Sequence, residues 1–295
     1  MPQAILVAAS TKGGVRKSTT LDDTAVFLAQ EMGEPTLILD TDSSNCGISQ
    51  KNLRMETDPT ASDGWMPPIH PSYDPSNPAY LNWDGRSSTA SIFLDTPILP
   101  YPTRIKNLDI LPAHSSQLGK VEDISPSLVE SHIYNKFEEW MKNSEILKKY
   151  RWILIDTPPV RFKTTKAAIN VATHLIIPTI YEPIPIEGVF GMLQLWQQQN
   201  LKRNKDYPLK LVGILGSMYR KGVTIQEELK DFLRNNAGAS PYLIPHDIAL
   251  SAVFSECDYS RMYGDGKTIF DYPKSNKSRK QVIEVCEYIY ERLRK

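Results

Sequence analysis

The N-terminal part of the chain alternates strand and helix patterns in a way that few folds accommodate. Residues 4–9 form a continuous apolar run, AILVAA, which ends in polar residues and glycines. Apolar residues then recur at helical spacing from Ser18 to Met32, and a second apolar run covers Thr36–Asp40. Strands buried on both faces give such runs, and a helix between two of them gives a right-handed parallel βαβ unit. The sequence therefore predicts a parallel sheet covered by helices.

Apolar runs of the same kind recur at residues 108–111, 152–155, 174–178 and 209–215, with helical patterns between most of them. From Lys277 onward, apolar residues lie on one face of a closing amphipathic helix. We expect one α/β domain over residues 1–295, built on a single doubly wound, mostly parallel sheet with helices on both faces.

A proline-rich segment at about residues 58–102 interrupts this alternation. It contains nine prolines together with Trp65, Tyr73, Tyr80 and Trp83. Proline removes backbone donors, so the segment is unsuited to a central strand or a helix interior. We expect a surface insertion around one short helix near Ser91–Leu94. Two interpretations stay open, a lineage-specific insertion and a partner-binding surface.

Composition excludes several classes of protein. The chain has 295 residues with 34 Lys and Arg against 34 Asp and Glu, so a polyanion-binding surface can only be local. The three cysteines are Cys46, Cys257 and Cys286, whose number and spacing argue against a disulfide framework or a zinc site. No apolar run reaches the roughly 18 residues of a membrane span, and the N-terminus lacks the features of a signal peptide. We expect a cytoplasmic protein without a membrane partner.

The sequence between the first strand and the first helix is TKGGVRKST, at the position of a phosphate loop. In such a loop, backbone N–H groups and the helix N-terminus face the phosphates, Lys17 reaches the β and γ oxygens, and the Ser18 hydroxyl binds Mg²⁺. The strict pattern GxxxxGK[ST] fails at two positions, because Thr11 and Arg16 replace glycines. The predicted nucleotide-binding residues here are Lys12, Gly13, Gly14, Val15, Arg16, Lys17, Ser18 and Thr19.

Carboxylates follow two of the predicted strands. Asp156 ends the run WILI and precedes Thr157, which is typical of a Walker B aspartate that supports Mg²⁺. Asp40 and Asp42 follow the second strand in the same way. Since the carboxyl ends of parallel strands meet at one edge of the sheet, we expect these carboxylates and the loop to share one crevice.

These motifs resemble the ParA/MinD family of P-loop ATPases, which share a deviant Walker A motif KGGxGK[ST]. Within the family the chain most resembles ParA-type partition ATPases. It lacks the cluster-ligating cysteines of the nitrogenase iron protein, and a MinD-like membrane anchor is not expected because the chain stops at Lys295. The similar segments are residues 12–18, 37–42, 107–113, 155–159, 178–188, 214–219 and 244–245.

The resemblance implies a homodimer that sandwiches two ATP molecules, with Lys12 reaching the partner's phosphates. Asp42 would orient the attacking water, so the implied catalytic residues are Lys12, Lys17 and Asp42. Ser18, Asp40 and Asp156 would hold Mg²⁺. Met218 and Pro245, in the later strand and loop segments, would add nucleotide contacts.

The resemblance also implies partners and a cargo. ParA-type dimers bind DNA without sequence preference in the ATP state, and a ParB-like or other cargo-adaptor protein stimulates their slow hydrolysis. The implied cargo is a plasmid or chromosome, and the implied location is the nucleoid. The candidate DNA-binding residues are Arg220, Lys221, Lys274, Lys277, Arg279 and Lys280.

Three departures from the family pattern affect the expected activity. Arg16 replaces a glycine, so its side chain is expected to crowd the phosphates while its charge suits them. On the crowding argument, Arg16→Gly should raise nucleotide affinity or turnover. Asp22 and Asp23 add negative charge to the first helix, and Ser43 replaces a proline. Two alternatives therefore stay open, a nucleotide-binding scaffold with little hydrolysis and a positioner of a protein cargo such as a bacterial microcompartment.

Overall fold

The structure is a computed structural model that describes residues 2–44, 46–158 and 162–295. The strands are β1 Ala4–Ala8, β2 Thr36–Asp40, β3 Glu56–Thr57, β4 Trp65–Met66, β5 Tyr101–Pro102, β6 Leu108–Leu111, β7 Trp152–Asp156, β8 His174–Thr179, β9 Lys210–Tyr219 and β10 Ile248–Ala249. The α-helices are α1 Lys17–Val26, α2 Gly47–Asn52, α3 Ser91–Leu94, α4 Ser115–Glu122, α5 Lys136–Asn143, α6 Lys163–Val171, α7 Pro183–Lys202, α8 Thr224–Asn235, α9 Ala252–Tyr263 and α10 Lys277–Leu293.

The main sheet follows the order β10-β9-β8-β1-β7-β2-β6-β5. Its strands run parallel, apart from the antiparallel pairing of β5 with β6. The predicted doubly wound, mostly parallel sheet is confirmed. Because β7 lies between β1 and β2, the ends of these three strands meet at one edge, and Asp40 is paired directly with Asp156.

The core has two layers because alternate residues of each central strand point to opposite faces of the sheet. Leu6 belongs to the layer that packs against α1 and α10, whereas Val7 belongs to the layer under α5, α6 and α7. All five residues of β2 and of β7 are buried, as the continuous apolar runs predicted. Residues that follow these strands are therefore held on a rigid platform.

The helix patterns are also confirmed, with one local difference. The predicted helix from Ser18 to Met32 is α1 followed by a π-helical turn, Phe27–Glu31. The closing helix α10 is amphipathic, with Val282, Cys286 and Ile289 buried on one face. No helix within the described ranges is both long and apolar enough to cross a membrane.

The β3–β4 hairpin spans the start of the proline-rich insertion, which also contains the predicted short helix, α3. It is anchored to the sheet by buried side chains: Tyr101 Oη donates to the Pro68 carbonyl at 2.7 Å, and Thr89 Oγ1 donates to the Asp40 carbonyl. Trp83 is buried against the rings of Tyr73 and Tyr80. The insertion is thus a packed surface element, and its role and the single-domain organisation stay predictions.

Candidate functional site

The predicted phosphate loop joins the end of β1 to the start of α1. Gly14 has φ 78°, in the left-handed region that glycine adopts without strain. A Cβ added at Gly13 or Gly14 would meet nothing within 4 Å, so the loop borders open space. The first turn of α1 has no side-chain cap and no acidic residue, which leaves its N–H groups available to an anion.

The loop is supported from the side by α7. A Cβ at Gly188 would lie 2.1 Å from Thr11 Oγ1, so the helix approaches the loop closely only because position 188 is glycine. Thr11 is one of the two residues that replace a glycine of the strict motif. The Thr11 side chain therefore fits against α7 because Gly188 has no side chain.

Lys17, Ser18 and Asp156 come together at the carboxyl edge of the sheet. Lys17 Nζ lies 3.7 Å from Asp156 Oδ1, and both side chains are buried. Burial raises the pKa of Asp156, and its charge interaction with Lys17 and a hydrogen bond from Ser18 oppose that shift. These contacts hold a lysine, a hydroxyl and a carboxylate beside the open loop.

Asp40 is engaged by the protein itself. Its Oδ1 accepts a hydrogen bond from the Asp42 N–H at 3.0 Å, and its Oδ2 accepts from the Ser49 N–H at 3.2 Å and the Ser49 hydroxyl at 2.5 Å. Burial raises the pKa of Asp40 well above its usual range, and the charges of Asp156 and Asp42 add to the shift. Asp40 therefore fixes the turn that carries Asp42, and its predicted contact with a metal ion stays a prediction.

Asp42 lies in that turn, and its Oδ1 accepts a hydrogen bond from the Ser44 N–H at 2.9 Å. The side chain is 7% exposed, so it has limited contact with bulk solvent. A carboxylate in this setting has a fixed direction, and among the described residues its second oxygen has no hydrogen-bond donor, so it suits a water molecule.

The other predicted nucleotide contacts are dispersed. Lys12 is exposed, and its carbonyl accepts a hydrogen bond from Ser10 Oγ, while Val15 is buried and Thr19 is half-buried. Met218, the second-last residue of β9, has φ 52°, and exposed Pro245 lies between the pairings of residues 243 and 248 with β9. Among the described residues, no hydrogen bond joins Met218 or Pro245 to the loop, and their nucleotide contacts stay predictions.

The structure corrects the expected crowding by Arg16. Its guanidinium lies 3.7 Å from the centroid of the Phe254 ring on α9 and 3.7 Å from Asp23 Oδ2. Burial lowers the pKa of Arg16 and raises the pKa of Asp23 to about 7. In both partners, the effect of burial on the pKa is larger than the opposing effect of the attraction between the two charges. The side chain is packed between α1 and α9, where its guanidinium faces Phe254 and Asp23.

Asp22, the other acidic residue of α1, also has a buried partner that the sequence did not indicate. Arg261 donates to Asp22 Oδ2 through Nη1 and to Asn52 Oδ1 at 2.6 Å through Nη2. Asn52 Nδ2 completes the triangle by donating to Asp22 Oδ1 at 2.8 Å. Asp22 therefore links α1, α2 and α9, and its charge is neutralised locally.

The predicted DNA-binding residues divide into an exposed set and a buried one. Arg220, Lys221, Lys274, Lys277 and Lys280 are exposed. The exposed residues lie after β9 (Arg220 and Lys221) and around the start of α10 (Lys274, Lys277 and Lys280). These two regions are joined through β10, because Gln281 Oε1 accepts from the Ala249 N–H and the Leu250 N–H donates to the Tyr219 carbonyl. Arg279 is different, since it is buried, donates to the Phe270 carbonyl and lies 3.7 Å from Glu31. We therefore leave Arg279 out of the DNA-binding set.

A protein-family model described as an AAA domain matches residues 3–211. The chain belongs to this family. Chromosome partitioning protein ParA of Caulobacter vibrioides is 22% identical over 253 residues, which cover 85% of the chain and 83% of that protein. Together with the fold, these matches identify a P-loop ATPase of the ParA/MinD partition type.

Two solved structures share the fold of this chain. A putative plasmid partition protein from Borrelia burgdorferi bound to AMPPNP superposes with a TM-score of 0.69 at 17% identity, covering 99% of the chain and 100% of that protein. Cobyrinic acid a,c-diamide synthase from Mycobacterium smegmatis, with bound ADP and magnesium, gives a TM-score of 0.61 at 20% identity over 90% and 93% of the two chains.

The donor set of the AAA-domain crevice fits ATP with Mg²⁺. No group of three or more His, Cys, Asp or Glu side chains suited to a metal ion occurs in residues 2–44, 46–158 and 162–295. Mg²⁺ is commonly held by one or two protein oxygens plus substrate phosphates, so Ser18 and Asp156 suffice on the protein side. The Walker B segment continues to Pro159, which lies outside the described residues.

Proposed function

We propose that this protein is an ATP-dependent, dimerising partition ATPase that positions a DNA cargo through slow, partner-stimulated hydrolysis. The observation that carries the proposal is the convergence of Lys17, Ser18 and Asp156 beside an open glycine loop. The family membership supports the same reaction class.

ATP with Mg²⁺ is the proposed cofactor pair. Related structures bind AMPPNP, or ADP and magnesium. In this chain, the loop N–H groups and the N-terminus of α1 would hold the phosphates, with Lys17 at the β and γ oxygens. Ser18 and Asp156 would hold Mg²⁺, which supplies charge neutralisation to the phosphate oxygens when bound.

The chain's own residues then account for the positioning of the reacting groups. Lys17 is already beside Asp156, so moving its ammonium toward a phosphate needs only a side-chain change. Asp42 would orient the attacking water, since the Asp40 and Ser44 contacts fix the direction of its carboxylate. Phosphoryl transfer depends on positioning and charge, which a bound partner can complete.

The proposed dimer is sandwiched around two nucleotides. Lys12 is exposed at the loop, where its ammonium is free to reach phosphates bound by a second copy. Release after hydrolysis would then follow from the loss of the shared phosphates. The cycle gives a timer rather than a metabolic catalyst.

The exposed residues Arg220, Lys221, Lys274, Lys277 and Lys280 would bind DNA phosphates without sequence preference in the dimer. We further propose a ParB-like or other cargo adaptor, a plasmid or chromosome as the cargo, and a nucleoid-associated location in the cytoplasm. The scaffold alternative loses the support that Arg16 gave it, because the Arg16 guanidinium lies over the Phe254 ring. A protein cargo is compatible with the same cycle.

The test compares ATP hydrolysis by the wild type, Asp42→Ala and Lys17→Ala, each with and without DNA. We expect measurable wild-type turnover that rises with DNA or adaptor, retained ATP binding without turnover in Asp42→Ala, and abolished binding in Lys17→Ala. Equal and negligible hydrolysis by the wild type and Asp42→Ala would favour the scaffold. DNA affinity that does not fall between low and moderate salt would contradict the proposed phosphate contacts.

A further inference from the structure

Arg16 holds an unfavourable backbone conformation at a demanding position. Its φ is 63° and its ψ is 27°, in the left-handed region that L-residues other than Asn and Asp seldom adopt. The residue directly precedes Lys17, the first residue of α1. A change at Arg16 would therefore redirect the lysine and the first N–H groups of the helix.

The side chain of Arg16 is held as firmly as its backbone. The guanidinium lies over the Phe254 ring, and its distance from Asp23 Oδ2 is 3.7 Å. Phe254 belongs to the core layer of α1 and α10, and it is 7% exposed. A cation on an aromatic face that is shielded from water is a favourable contact.

The same arrangement leaves buried polar atoms without hydrogen bonds, which lowers stability. Among the described residues, Arg16 Nε, Arg16 Nη2 and Asp23 Oδ2 are buried without a hydrogen-bond partner. A glycine would adopt the left-handed backbone without this burial. Strained backbone and buried groups without hydrogen bonds persist only where the surrounding packing fixes them. They cluster at functional sites.

The elements around Arg16 are joined into one unit. Arg261 of α9 binds Asp22 of α1 and Asn52 of α2, and Lys51 of α2 pairs with Asp258 of α9 at 2.6 Å. Phe254 lies near the start of this same α9 helix. The loop is thus connected through Arg16 to a helix that is itself fastened to α1 and α2.

We propose that Arg16 is a positioning residue, whose side chain on Phe254 holds the left-handed turn before Lys17 and so makes nucleotide affinity depend on α9. The inference rests on the proposed nucleotide site and adds a residue and a helix to it. Arg16 acts through the loop backbone and Lys17, with no direct role in the chemistry.

The test measures AMPPNP binding with Mg²⁺ by calorimetry, using the full chain. We expect Arg16→Gly to bind roughly tenfold more weakly and Arg16→Lys to stay within about threefold of the wild type, since lysine keeps a cation on a long stem. Phe254→Leu should weaken binding similarly to Arg16→Gly. The double variant Arg16→Gly/Phe254→Leu should be no weaker than the weaker single variant, because both changes remove the same interaction. KM for ATP should rise by the same factor as the dissociation constant.

Asp63→Gly is the matched control, since Asp63 is an exposed residue with φ 53° in the surface insertion. It relieves left-handed strain without touching the loop, and its AMPPNP affinity should equal that of the wild type. If Arg16→Gly fails to fold in thermal unfolding, Arg16→Lys and Phe254→Leu carry the test. Arg16→Gly that binds as tightly as the wild type, or losses that multiply in the double variant, overturn the inference. A wild type that binds no AMPPNP overturns the proposed function instead.

Discussion

Ser49 Oγ donates a hydrogen bond to Asp40 Oδ2 at 2.5 Å, so the carboxylate that ends β2 is held by the helix that follows it. The same Ser49 oxygen accepts from the Ala113 N–H at 2.9 Å. Asp40 thus belongs to a buried polar network that positions Asp42, and the two carboxylates have different roles although they are two residues apart.

We expect Asp40→Ala to lower the free energy of unfolding by about 2–4 kcal/mol, because three buried donors lose their acceptor. Asp42→Ala removes one bond from a turn and should cost about 1 kcal/mol or less while abolishing hydrolysis. Urea unfolding of both variants gives the comparison, with ATP turnover as the second measurement. Equal unfolding midpoints would contradict the structural role of Asp40.

Asp23 makes stability depend on pH. Burial raises its pKa to about 7 in the folded protein, whereas an unfolded aspartate titrates near about 4. The folded state therefore binds an extra proton between these values, so the free energy of unfolding falls as the pH rises from about 4 to about 7. Above about 7 this contribution stays constant.

Asp23→Asn removes that dependence. We expect it to be more stable than the wild type by up to about 4 kcal/mol near pH 8, with the advantage shrinking toward zero near pH 4. Urea denaturation at several pH values measures the difference, with Asp63→Asn as an exposed control. An advantage that does not change with pH would show that Asp23 is ionised throughout the range.

Arg261 is the centre of the contacts among α1, α2 and α9. Arg261→Leu leaves Asp22 buried beside Asn52 alone, and we expect a loss of about 3–5 kcal/mol in the free energy of unfolding. The exposed Arg220→Leu should change it by about 0.5 kcal/mol or less. Adding Asp22→Leu to Arg261→Leu should restore part of the loss, and strictly additive losses would argue against the pair.

The sequence predicted the framework because burial patterns are local. The runs at Thr36–Asp40 and Leu108–Leu111 coincide with β2 and β6, and α3 begins and ends where the short helix was expected. The convergence of Lys17 and Asp156 also followed, since the ends of parallel strands must meet at one edge.

The partners of charged residues could not be predicted in the same way. Asp22 and Arg261 are far apart in the sequence, and only the packing of α9 on α1 brings them together. The direction of the Arg16 side chain depended equally on where Phe254 lies. A buried aspartate requires a neutralising partner, and here that partner is an arginine distant in sequence, Arg261.

Arg279 and Lys280 are adjacent on α10 but differ in burial, which gives a matched test of the DNA-binding surface. Lys280→Ala should weaken DNA binding and reduce the salt slope of log K by about one for each phosphate that is no longer neutralised, or about two for a dimer. Arg279→Ala should instead lower stability by about 1–3 kcal/mol, because the Phe270 carbonyl loses its donor, and leave the salt slope unchanged. DNA affinity at several salt concentrations with ATP, beside thermal unfolding, separates the two effects. An equal change of slope in both variants would place the Arg279 guanidinium on DNA and contradict its burial, whereas no change in either would move the DNA-binding surface away from the start of α10.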